Sequence, residues 1–256
     1  MAFEKMPMTP EQEQENEKAI WYHVIPFVLW LFFLKLELFQ PHWNYAFMTV
    51  FTSALLLYFR PWRWYEPLKL KNLPWAILAG VGVAVMWVIM EHEVVIKAMP
   101  GVAEFYERYL VGTWPIGVLR DAPEISDKWV KFNGELLHQY DPKLTGWPLF
   151  WVHMFGTSIV VGVFEEFFWR GFLYRWMLGT PFTKVPLERF NWKMWLAIAL
   201  MFATVHVEWF VAILCGLIYG ILIIKTRDIW AGIIAHALTN FLLGLYAIHC
   251  GYWQFW

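Results

Sequence analysis

Seven apolar segments of roughly spanning length punctuate this chain, and little else can be built from such a pattern but a helical membrane protein. They run Ile20–Phe39, Tyr45–Tyr58, Pro74–Met90, Trp147–Trp169, Trp195–Phe210, Val211–Ile224 and Ile229–Ile248. A spanning helix needs about 20 apolar residues, because a residue rises about 1.5 Å and the hydrocarbon layer is about 30 Å thick. Several of these segments are short, so the count carries a range of six to eight. Composition agrees: 59% of residues are hydrophobic and 16% charged, where soluble domains carry about 45–50% and about 25%. The 19 tryptophans suit the headgroup interface, where an amphipathic ring meets both phases. The expected fold is an all-α polytopic helical bundle, integral to a membrane and multi-pass, able to enclose a cavity.

Residues 1–18 form a polar, acidic tail (Glu4, Glu11, Glu13, Glu15, Glu17), unlike the basic start of a secretory signal. Residues 19–256 form one transmembrane domain, with 145–250 as its core. Basic residues follow the second segment (Arg60, Arg63, Lys69, Lys71), the fourth (Arg170, Arg175, Lys184, Arg189, Lys193) and the sixth (Lys225, Arg227). If seven spans alternate, all three clusters share one side, which the positive-inside rule makes cytoplasmic, together with the N-terminus. The connection 91–145 then lies outside. It holds nine acidic and six basic residues, and aromatics such as Phe105, Tyr106, Tyr109 and Trp114 suggest short amphipathic helices on the membrane surface. A net charge of -1 with no basic face excludes nucleic acid as a partner. Cys215 and Cys250 make neither a disulfide framework nor a metal-binding pair.

Inside the fourth segment stands Glu165-Glu166-Phe167-Phe168-Trp169-Arg170. A charged side chain at the middle of a bilayer costs about 2.5–3.5 kcal/mol even on insertion scales, so such groups are functional-site hypotheses by default. Glu166 and Arg170 are four apart and pair across one helical turn. Glu165 points about 100° away and has no obvious local partner. A carboxylate short of partners in an apolar setting suits a general base near neutral pH. His206 and His236 lie in later apolar segments, and Asn240 shares a helix face with His236. A lone membrane histidine is more often an interhelical hydrogen-bonding residue than a catalyst; two of them accompanying a glutamate pair shift that balance. His153 lies three turns before Glu165 and reads as a packing residue, and His23 as an interfacial one.

The order Glu165-Glu166-x-x-x-Arg170, Phe202-x-x-x-His206, His236-x-x-x-Asn240 on successive helices resembles the CPBP family of intramembrane proteases. That family includes the Ras-converting CAAX prenyl endopeptidase and the bacterial Abi, or bacteriocin-processing, proteins. The resemblance covers about the last 100 residues. The run Leu57-Tyr58-Phe59-Arg60-Pro61-Trp62 is similar to the bacterial subgroup associated with exosortases, which implies a bacterial inner (plasma) membrane. The resemblance implies that Glu165 activates water with help from His206, and that His236 and Asn240 stabilise the oxyanion. It implies for Glu166 and Arg170, with Phe202, a supporting role. No cofactor is expected, although Glu165, His206 and His236 are of acceptable type for zinc; no H-E-x-x-H is present. The implied partner is a peptide or protein with a membrane-associated, possibly lipidated tail, met at the lipid bilayer.

Depth raises one difficulty. Lys225 follows Lys193 by only 32 residues, too few for two full spans. The expectation is a short hairpin turning near His206 to Trp209 below the surface, which brings His206 level with Glu165 and His236. Two other functions remain on the sequence alone: a non-catalytic immunity or peptide-binding protein on this scaffold, and an ion-coupled transporter, which would more often show internal repeats.

Overall fold

The computed structural model describes residues 4–36, 38–111 and 129–255. Trp114, and with it the middle of the 91–145 connection, lies outside the described residues. Each of the seven apolar segments lies mostly in helix among the described residues. The chain folds as α1 (Pro10–Leu36), α2 (Pro41–Phe59), α3 (Leu73–Ile89), the short α4 (Glu93–Ala98) and α5 (Pro100–Leu110), a long α6 (Trp147–Leu178), then α7 (Trp192–Ala203), α8 (Trp209–Thr226) and α9 (Ile229–Cys250). It is an all-α membrane protein. Five helices are long and apolar enough to cross a membrane: α1, α3 with the turn before it, α6, α8 and α9. Two further apolar helices, α2 and α7, account for the other expected segments. α2 has the length, and it turns Asn44, Thr49 and Thr52 inward against its neighbours. α7 has 12 residues, about 18 Å at helical rise, and stops short of a crossing.

Helix α1 begins within the polar tail. Thr9 and Gln12 bond reciprocally, Thr9 N to Gln12 Oε1 and Gln12 N to Thr9 Oγ1, at 3.2 and 3.3 Å. That capping box starts the helix at Pro10. His23, expected at the interface, is buried: Nδ1 meets Ala19 O at 2.6 Å and Nε2 meets the Tyr65 hydroxyl at 2.9 Å. Tyr65 lies in the connection between α2 and α3. Burial pushes its phenol up to about 12 despite the opposing Arg175 charge, so it meets His23 as a neutral hydroxyl.

The connection after α3 carries the two short helices its aromatics suggested, and also a hairpin they did not. Trp129–Phe132 pairs antiparallel with Glu135–His138. Its turn, Asn133-Gly134, holds both residues at positive φ, 50° and 87°, as a tight hairpin turn requires.

Close packing sets the position of α9. A Cβ on Gly80 of α3 would stand 2.7 Å from Ala235 O, and one on Gly162 of α6 would stand 3.2 Å from Ala237 N. These two bare glycines let α3 and α6 press on α9 at the residues flanking His236. Small residues at helix crossings work this way in membranes, where van der Waals contact largely replaces hydrophobic drive. From the other side of α6, Phe27 of α1 stacks on Phe168 at 4.0 Å and meets Trp169 edge-on at 5.2 Å.

Candidate active site

α6 is not uniform. Residues 156–160 and 167–173 wind as wide π-helical turns, and an ordinary α turn, Val161–Glu166, lies between them. Such insertions rotate the following side chains relative to a regular helix. Both carboxylates end up inside: Glu166 is fully buried and Glu165 is 8% exposed.

Glu166 is the hub. Its Oε1 accepts from Arg170 Nη1 at 2.7 Å, the pairing that the four-residue spacing predicts, and meets His236 Nδ1 at 2.9 Å. Arg170 Nη2 also donates to Gly216 O of α8 at 3.2 Å, and its guanidinium lies over the Phe202 ring at 4.6 Å. One carboxylate thus ties α6 to α9 directly, and to α8 through the arginine. Attraction within the pair offsets part of the cost of removing both charges from water.

Phe202 stands between the two histidines. Its ring centroid is 4.4 Å from His206 and 6.0 Å from His236. α7 ends at Ala203, residues 204–208 form the turn, and α8 starts at Trp209. The hairpin therefore turns where the residue count required. His206 Nδ1 bonds Phe202 O at 2.9 Å, and its ring lies 5.8 Å from Trp87. A carbonyl only accepts, so Nδ1 carries the proton and a neutral His206 presents the Nε2 lone pair. Asn240 Nδ2 donates to Thr157 O at 2.9 Å, in the first wide turn of α6. One of its two amide hydrogens stays uncommitted.

Glu166, Arg170, His236, Phe202 and His206 are thus brought together, with Asn240 one turn along α9. Glu165 makes no direct bond to either histidine. It stands within electrostatic range of His236 and Arg170, and its Oε2 is buried without a hydrogen-bond partner. Glu166 Oε2 is unpaired as well. A cavity of about 10 Å³ touches Arg170 from the α7–α8 side. Among the described residues, no three His, Cys, Asp or Glu side chains are grouped to hold a metal ion. The contingent zinc set Glu165, His206 and His236 is therefore not assembled; Glu166, not Glu165, is what His236 meets.

Sequence reading missed the support beneath His236. The Tyr219 ring lies 5.3 Å from it. The Tyr219 hydroxyl donates to Thr239 Oγ1 at 2.6 Å, and Thr239 donates to Gly80 O at 2.8 Å. Their apolar surroundings on α8 and α9 concealed this chain, since a Tyr and a Thr in spans read as packing. Tyr45 of α2, within electrostatic range of Glu165, was missed for the same reason.

Fold and composition define an integral membrane protein of several passes. Within it, residues 147–242 match the family of type II CAAX prenyl endopeptidases described as Rce1-like. This is the stretch that carries Glu165 through Asn240, and it is similar to the CPBP-type CAAX proteases as the three motifs implied. No curated protein and no solved structure matches the chain.

Proposed function

We propose that the chain is an intramembrane endopeptidase that cleaves a peptide bond in the tail of a membrane-associated protein, prenylated or otherwise lipidated. The observation that carries this reading is the buried Glu165 Oε2, unpaired beside a Glu166–Arg170–His236 cluster. A water held at Glu165, with its second hydrogen toward His206 Nε2, gives one proton to the carboxylate as its oxygen attacks the scissile carbonyl. The C–N bond then breaks, and Glu165 returns that proton to the leaving amine. The products are a carboxylic acid and an amine, with no metal needed for the balance.

Glu166 gives His236 a condition. With Nδ1–H directed at Glu166, His236 can donate from Nε2 to an oxyanion only as the imidazolium, which the carboxylate stabilises. The free hydrogen of the Asn240 amide donates alongside it. Donors fixed in a dry site are worth about 10²–10³ in rate. Phe202 keeps the two histidines apart. The N-terminus is assigned to the cytoplasmic side and the membrane to the bacterial inner membrane, on the basic clusters and the family resemblance.

Glu165→Gln tests the reading. It keeps shape and removes the base, so cleavage of tail peptides, prenylated and unprenylated, should fall about 10²–10⁴-fold. The detergent melting curve should be unchanged. Retained cleavage would remove Glu165 from the chemistry. Tail binding without cleavage by the unaltered protein would instead make it a sequestering protein on the same scaffold.

A further inference from the structure

Between α3 and α8, away from the glutamate cluster, runs a groove of about 690 Å³. Its wall is apolar: Trp75 and Leu78 from α3, 61% and 64% exposed, and Leu222 from α8. Both helices are of spanning character, so this wall faces lipid. Its mouth, at the start of α3 and the end of α8, is lined by Lys71, Lys225 and Arg227, all exposed.

The charges around the mouth do not cancel. Lys69 is paired with Glu66. Asp228 is buried and turned inward, accepting from Lys69 N, Asn72 Nδ2 and Trp230 N at 3.0 Å each. Glu188 stands 3.9 Å from Arg227. Among the described residues Lys71 and Lys225 have no ion-pair partner. The mouth is also held in place, since Asn72 Nδ2 donates to Thr226 O at 3.4 Å as well as to Asp228. Arg227 ends α8 at φ 55°, where glycine is the residue most at ease. The chain there spends backbone strain and holds a cation.

We propose that this groove binds one anionic phospholipid of the bilayer, its phosphate at Lys71, Lys225 and Arg227 and an acyl chain along Trp75, Leu78 and Leu222. An apolar wall facing lipid is covered by acyl chains in any membrane; the unpaired cations at one end select the headgroup. Basic pockets between spanning helices take acidic headgroups by this combination. The site does not depend on the proteolytic reading, because it shares none of these residues with the glutamate cluster.

The test is native mass spectrometry of the purified full chain in neutral detergent, titrated with dioleoylphosphatidylglycerol and with dioleoylphosphatidylcholine. The anionic lipid should be retained preferentially. Lys71→Gln with Lys225→Gln should weaken it about 25-fold, at about fivefold per basic residue, with little effect on the neutral lipid. Lys184→Gln with Lys193→Gln removes two cations outside the groove and should leave binding unchanged. Leu78→Trp, at an exposed wall position, should weaken binding without altering charge, and it serves if the lysine variant melts early. Equal retention of the two lipids, or equal loss in the control variant, would overturn the proposal. So would displacement by millimolar inorganic phosphate alone, which would leave the acyl wall without a role.

Discussion

Two buried arginines lie five residues apart on α6, and the protein meets their charges in opposite ways. Arg170 faces a carboxylate, Glu166, with one backbone carbonyl added. Among the described residues, Arg175 is paired with no carboxylate. Its Nε donates to Val185 O at 2.7 Å, Nη1 to Gly171 O at 3.2 Å and Nη2 to Thr183 O at 2.7 Å, and its guanidinium lies over Tyr65 and Phe182. The first arrangement sits mid-helix among three other helices. The second sits in the last turn of α6 and folds the following connection back onto it. Near the end of a helix, dipoles and rings suffice for a cation. Deeper in the bundle a full counter-charge is present, and that counter-charge also orients His236.

The largest effect should come from breaking the deeper arrangement. Glu166→Gln leaves Arg170 without a counter-charge and His236 without an acceptor of its full strength. Removing one partner of a buried pair costs about 3–5 kcal/mol, which should appear as a large drop in the denaturant or thermal midpoint in detergent. Glu166→Gln with Arg170→Met should recover much of that stability, because no lone charge remains, while cleavage stays lost. If the single variant were as stable as the parent, the pair would not be holding the helices together.

Arg175→Met sharpens the other side of the comparison. It removes three hydrogen bonds to backbone carbonyls and the contact with the Tyr65 hydroxyl, each bond from a charged donor worth about 1.5–3 kcal/mol alone, but they share one side chain and do not add. The expected loss is about 2–3 kcal/mol, below that of Glu166→Gln, with faster proteolysis within 179–191. Arg175→Lys should not restore the clamp, because an ammonium cannot reproduce the planar fork. A loss exceeding that of Glu166→Gln would reverse the ranking of the two turns.

The contrast also explains what could be read in advance. The Glu166–Arg170 pair was legible because it is local: four residues on one helix bring the groups together whatever the rest of the fold does. Arg175 was counted with the interfacial cations, because its acceptors are backbone carbonyls, which have no residue signature. The contact of His236 with Glu166, not Glu165, depends on wide turns in α6 that leave no sequence mark. The short α7–α8 hairpin could be counted from residue spacing. The helix start at Thr9-x-x-Gln12 and the turn at Asn133-Gly134 were both written in the sequence and went unused. The support under His236 was out of reach, since Tyr219, Thr239 and Gly80 come from three helices whose packing only the fold defines.

That support gives the smallest effect and the sharpest control. Tyr219→Phe removes the hydroxyl, with its hydrogen bond to Thr239 and its contact with the Cys215 side chain, and Thr239 keeps its own bond to Gly80 O. A neutral hydrogen bond is worth about 0.5–1.5 kcal/mol net, so the melting midpoint should shift slightly and the fold should persist. The ring still packs beside His236 and under Arg170, so the loss of cleavage should be modest and lie in kcat, not KM. Phenylalanine cannot rescue a site that depends on the hydroxyl as a proton donor. A loss approaching that of Glu165→Gln would therefore put Tyr219 into the chemistry, and the neutral support and the charged hub would no longer be separable regions.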